Sequence, residues 1–236
     1  MPKAPRGWIV TRHDPIEKVE DNLWTIQGDT PGVPIKRRMF IIKRADGTLL
    51  FFGCAIPLED EILAEITAWG RPSTLVVTHD QHMIDARPFA EKLKLSVYGP
   101  KECEAKMRER AEIAGFLEDI PKDATVDIVR VTGAKTGEPA AIVRSAGGQR
   151  VTVIFSDAVQ NNSKDSLGFV PWLCGFAGGP KVVPLFKMLF TKDKAALKRQ
   201  VSEWSELPGL ARLMFCHGDA VADGAAPALK AAAARV

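Results

Sequence analysis

Four polar residues of metal-ligand type stand at the ends of hydrophobic runs. His79 and His82 follow "TLVVT", Asp157 follows "VTVIFS", and His217 follows "ARLMFC", with Gly218 and Asp219 next. Imidazole and carboxylate donors in such places suit metal binding or acid–base chemistry, because a strand end is rigid and the loop after it faces a crevice. Each taken singly also fits a structural role, with Asp157 capping the loop that follows it and His217 bonded to backbone. The elements that carry these residues decide whether they meet.

The chain opens on β structure. "NLWTIQG" reads as a strand, and "MFIIKR" and "TLLFFG" read as hairpin arms joined by "ADG", where Asp46–Gly47 supplies the positive φ of a tight turn. In "LEDEILAEITAWG", Ile62, Leu63, Ile66 and Trp69 recur at helical spacing, and Gly70 and Pro72 end the pattern. A βαβα alternation follows: strand "STLVVT", helix "ARPFAEKL", strand "LSVYGP" and helix "KECEAKMRERAEIAGF". From Asp127 the strands return as "DIVRVTG" and "PAAIVRSAGGQRVTVIFSD", the latter folded at Gly147–Gly148. The tail reads as helix "KDKAALKRQVSEWSEL", strand "LARLMFCHGD" and helix "APALKAAAAR". Pro171, Gly175, Gly178, Gly179, Pro180 and Pro184 break the apolar segment Leu167–Phe190, which excludes one regular helix and suits a pocket wall or an irregular cover on the core. Trp69, Trp172 and Trp204 read as core anchors.

Strands and helices alternate with no Pro-, Gly- or Ser-rich linker, so residues 1–236 are expected to form a single domain. A hydrophobic content of 46% is that of a globular protein with a substantial core. Lys and Arg total 32 against 29 Asp and Glu and are spread along the chain, giving no basic patch for nucleic acid. Cys54, Cys103, Cys174 and Cys216 form no CxxC pair, which points to free thiols in a reducing compartment. The start "MPKAPRGWIV" lacks an apolar signal core, and no run reaches the roughly eighteen apolar residues that span a bilayer, so a cytoplasmic protein without a membrane partner is expected. "GFAGGP" lacks phosphate-loop spacing, and no Ser lies in a GxSxG elbow. Cys216 and His217 are strand neighbours that face opposite sides, so Cys216 reads as a buried thiol and not a nucleophile with its base.

Taken in order, "THDQHMI", "FSDAV", "FCHGDAV" and the opening hairpin "FIIKRADGTLLFFGCAIP" resemble the metallo-β-lactamase fold superfamily, from about Val19 to Ala222. The resemblance implies an α/β (α+β) chain folded as a four-layer αββα sandwich, with the His79/His82, Asp157 and His217 loops meeting at one edge. In that family THxHxDH, a later lone His, a (S/G)D strand end and a terminal HG bind two metal ions. Here the first motif is degenerate. Placed without a gap, His79 matches but Gln81, Met83 and Ile84 replace the second His, the Asp and the third His. With two residues missing and His82 as the last His, Gln81 takes the place of the Asp; with His82 as the middle His, Asp80 and Asp85 take the flanking His positions and Ile84 that of the Asp. The acid is absent in all three registers, and in the family it binds metal and orients the attacking group or hands a proton to the leaving group.

The later lone His has no match in "VRVTGAKTGEPA", and the chain has 4 histidines in all, one of them His13 near the N-terminus. The resemblance therefore implies at most one ion. It would sit on His79 or His82 with Asp157 and His217, with Asp80 and Asp85 as substitutes, and such donors suit Zn²⁺ or Fe²⁺. In one reading the chain is a hydrolase of small esters, lactones or thioesters that uses a metal-activated water. In the alternative it holds no metal and is a non-catalytic protein of the same fold, structural or binding a small-molecule ligand.

Overall fold

The computed structural model describes residues 7–33, 35–162 and 178–236. An antiparallel meander comes first: β1 (Glu17–Glu20), β2 (Leu23–Asp29), β3 (Lys36–Lys43) and β4 (Thr48–Gly53). The β3–β4 turn is the one expected. Gly47 has φ +78°, and the Asp46 carboxylate accepts the Thr48 amide at 2.9 Å and its hydroxyl at 2.7 Å.

Three parallel strands extend this sheet, each reached through helical turns as parallel pairing requires. Helix α1 (Asp60–Trp69) leads to β5 (Arg71–Val76), α2 (Ala86–Leu93) to β6 (Ser96–Gly99), and the short α3 (Glu104–Arg108) to β7 (Gly115–Phe116). The strands lie in sequence order from β1 to β7. A second sheet holds β8 (Val126–Arg130), β9 (Pro139–Ser145), β10 (Arg150–Phe155) and β11 (Leu210–Phe215) in the order β11-β10-β9-β8, parallel only between β10 and β11. Helices α4 (Pro184–Leu189) and α5 (Lys194–Ser205) precede β11, and α6 (Ala225–Ala234) follows it.

Side-chain alternation along the strands sorts residues into layers. In β3 and β4, Met39, Ile41, Leu49 and Phe51 face Leu63, Ile66 and Phe89 of the first helical layer. Their neighbours Phe40, Ile42, Leu50 and Phe52 face the other way, packing with Ala141, Val143, Ile154 and Met214 of the second sheet. The far face of that sheet sends Val153, Phe155, Leu213 and Phe215 against Leu197, Val201, Trp204 and Leu229. The result is the expected sandwich: helices, sheet, sheet, helices. Each buried phenylalanine such as Phe52 is worth about 3–5 kcal/mol against truncation to alanine.

Two elements differ from expectation. The helix expected to run through "KECEAKMRERAEIAGF" stops at Arg108, and Gly115–Phe116 become an edge strand beside β6. Packing overrides propensity there: Ala111 and Ile113 are buried under the first helical layer, and the Ala114 amide donates to the Val97 carbonyl. Strand β5, expected to end at Thr78, ends at Val76, which frees the Thr78 side chain for the site below. Trp69 stacks on Trp24 with ring centroids 3.9 Å apart, and Trp204 is buried. Trp172, Cys174 and the rest of residues 167–177 in the apolar segment lie outside the described residues. Among those described, no helix is long and apolar enough to cross a membrane.

Candidate metal centre

The C-terminal ends of β4, β5, β10 and β11 converge where the two sheets meet. After β5 the chain makes one tight helical turn, Asp80–Met83, capped by His79, whose ring accepts the Gln81 amide. That turn carries His82 inward. After β10 come Ser156 and Asp157; after β11, Cys216 donates its amide to the Phe155 carbonyl and passes the chain to His217. Gly218 then takes φ +100°, and a Cβ there would lie 2.2 Å from the Asn161 carbonyl oxygen. Only glycine allows the Asp157 and His217 loops to approach so closely.

The four expected ligands are brought together. His82 Nε2 lies 3.1 Å from His217 Nε2. Asp157 Oδ1 is 3.4 Å from His217 Nε2 and 3.8 Å from His82 Nε2, while Oδ2 is 2.8 Å from His79 Nε2. His79 and His82 are buried, whereas Asp157 and His217 keep a partial opening to solvent. Asp80 and Asp85 are engaged elsewhere. Asp80 pairs with Lys106 at 3.1 Å, and Asp85 pairs with the buried Arg37 at 2.6 Å.

Whether these residues fit an ion turns on which ring nitrogens carry protons. The Lys36 carbonyl, 2.8 Å from His217 Nδ1, only accepts, so Nδ1 carries a proton and the neutral form of the ring has its lone pair on Nε2. Thr78 Oγ1, 2.6 Å from His82 Nδ1, is a hydroxyl that donates or accepts, so His82 is able to present either Nε2–H or a bare Nε2. The Gln81 amide, 3.2 Å from His79 Nδ1, only donates, so His79 keeps its proton on Nε2 and gives it to Asp157. His217 and His82 therefore fit a metal ion, and His79 fits as a proton-bearing partner of the carboxylate.

The electrostatics agree with this assignment. Burial pushes the His82 pKa well below that of a free imidazole, reinforced by the neighbouring His79 and His217, so the ring is neutral. Burial alone would also lower the His79 pKa, but the Asp157 charge and hydrogen bond outweigh it and raise the value. Burial opposes ionisation of Asp157 too, yet His82, His79 and His217 prevail and hold its carboxyl well below the usual range.

Three contributors were not apparent in the sequence. Glu138, fully buried, accepts the backbone amides of Asp157 at 3.2 Å and Ala158 at 2.7 Å, fixing the loop; burial and then the Asp157 charge push its pKa up to about 7. Arg37 donates to the Ala55 carbonyl at 3.0 Å as well as to Asp85. Cys54, at the end of β4, places its sulfur within 4.8 Å of ring nitrogens of His82 and His217. A period-two reading of "RRMFIIK" puts Arg37 on the same face as Met39 and Ile41, a signal of inward placement; nothing local marks Cys54 or Glu138. Cys216 is buried as expected, and burial raises its pKa well above that of a free thiol.

No protein-family model and no curated protein matches the chain. Solved structures do. The chain is similar to the DIM-1 metallo-β-lactamase, at 14% identity over 96% of this chain and 98% of that one, with TM-score 0.60. It is similar to the mono-zinc form of FIM-1 from Pseudomonas aeruginosa, at 11% identity over 98% of each chain and TM-score 0.60. A metallo-β-lactamase from Hirschia baltica aligns at 14% identity over 93% and 98% of the two chains, with TM-score 0.58. This chain has the metallo-β-lactamase fold.

Proposed function

We propose that the chain is a divergent hydrolase of this fold, built around one metal ion held by His82, His217 and Asp157 and acting on a small ester, lactone or thioester. One observation carries the reading: the donor atoms of these residues are 3.1, 3.4 and 3.8 Å apart. A tetrahedral zinc site with bonds of about 2.0–2.1 Å has edges of about 3.3 Å, which those separations bracket.

When bound, such an ion supplies Lewis acidity, polarising a carbonyl and activating water. The chain's own residues do the rest. Lys36 holds His217 with its bare nitrogen toward the site, and the Thr78 hydroxyl adjusts His82 to match. His79 pins Asp157 Oδ2 and leaves Oδ1 facing the two imidazoles. With the family acid absent from the loop, His79 Nε2–H is the proton placed to reach a leaving group.

Protein purified without an affinity tag should hold close to one zinc or iron per chain and cleave members of an ester, lactone and thioester panel, with chelation abolishing turnover. A metal content near zero in tag-free protein would sink this reading. A second reading rests on a separate observation: every ring nitrogen of His79, His82 and His217 already has a hydrogen-bond partner, so the cluster is satisfied without an ion, as suits a metal-free protein that is structural or binds a small molecule. In that case chelator leaves the melting temperature unchanged and a ligand raises it.

A further inference from the structure

The donor set of the proposed centre leaves room for a further ligand. Two neutral imidazoles and one carboxylate leave a divalent ion with a single anionic protein ligand, and the loop that should supply another offers Gln81, Met83 or Ile84 in the acid's place. Such a set suffices for a catalytic ion, and any further anionic donor would come from elsewhere in the fold.

We propose that Cys54 is a ligand of this ion beside His82 and His217, the two residues its sulfur reaches. The inference rests on the single-metal reading above. Its basis is geometric: the Cys54 sulfur and ring nitrogens of His82 and His217 all lie within 4.8 Å of one another, though Cys54 is separated in sequence from both. The sulfur approaches from the core side, because Cys54 is 3% exposed, while the Asp157 side chain is 22% exposed on the solvent side. Backbone shape holds it there. Gly53 takes φ +93° at the end of β4, and a Cβ on it would lie 2.8 Å from Cys216 Sγ, so the strand turns into the site only with glycine.

The assignment has two chemical consequences. A thiolate is a soft ligand and favours zinc over iron, which narrows the identity of the ion. With the thiolate on the core side, Asp157, already shared with His79, is the more solvent-exposed of the two anionic groups.

Cobalt(II) loaded into the tag-free full-length protein gives the test, since a thiolate ligand produces a near-ultraviolet charge-transfer band and imidazole or carboxylate does not. The band should appear in the wild type, vanish in Cys54→Ser with cobalt still bound, and persist in Cys174→Ser and Cys216→Ser. Zinc affinity of Cys54→Ser should fall by more than the roughly 10- to 100-fold that loss of an outer partner costs. If Cys54→Ser fails to fold, a chain with Cys103, Cys174 and Cys216 all changed to Ser must still show the band. Cobalt bound at one per chain without the band overturns the Cys54 assignment and spares the metal reading. A band that follows Cys174 or Cys216 also overturns it. No cobalt bound at all overturns both.

Discussion

The loop after β5 and the loop after β11 each present a strand-end histidine, yet the two rings have opposite chemistry. His79 meets a backbone donor, the Gln81 amide, and His217 meets a backbone acceptor, the Lys36 carbonyl. The first arrangement fixes a proton on the nitrogen that faces the site; the second removes it. Residue type was therefore a weaker guide to ligand status than the main-chain group behind each ring, which no motif in "THDQHMI" or "FCHGDAV" reports.

That contrast is open to attack at three points, taken from the largest effect down. The β5 loop ends on Asp85, whose ion pair with Arg37 is buried on both sides. Asp85→Ala strands a guanidinium that is 1% exposed and should destabilise the fold by about 3–5 kcal/mol in urea titrations. A loss under about 1 kcal/mol would mean that the loop is not held from beneath.

Next, His217→Ala should weaken zinc binding by more than roughly 100-fold in competition titrations, whereas His79→Ala, which removes a neighbour of the carboxylate, should cost only about 10- to 100-fold. Equal losses in the two variants would erase the distinction between the loops.

The smallest effect concerns Glu138, which steadies the Asp157 loop on the β10 side. Its pKa rises on folding from an ordinary 4.5 to about 7, so the folded chain holds a proton that the unfolded chain releases in that window. Stability from this group is complete below 4.5 and is lost as pH climbs toward 7. Glu138→Gln should flatten the decline of the metal-free protein's unfolding free energy across that range, and an unchanged slope would remove Glu138 from the account.

Much of the fold was legible because alternation and turn chemistry are local. "MFIIKR" and "TLLFFG" announced their two faces, Asp46–Gly47 their turn, and "ARPFAEKL" its helix at the observed bounds. The stretch after Arg108 misled because its residues favour helix, while burial of Ala111 and Ile113 rewarded a turn back to the sheet. His79, His82, Asp157 and His217 were found because each stands at a strand end. Cys54 and Glu138 were not, since a thiol after "FFG" and an acid before "PAAIV" acquire meaning only when sequence-distant strands are brought side by side.

Gly218 has a mechanical consequence. Across its contact with Asn161, the Asp219 amide donates to the Asn161 carbonyl at 2.9 Å, and the Asn161 side chain donates to the Asp219 carbonyl at 2.8 Å. The Asp157 and His217 loops are thus riveted into a single jaw belonging to the second sheet, while His82 and Cys54 belong to the opposing jaw of the first. Two hydrogen bonds tie the jaws together, His217 to the Lys36 carbonyl of β3 and Asp157 to His79, so the spacing across the cluster is fixed by the closure of the two sheets.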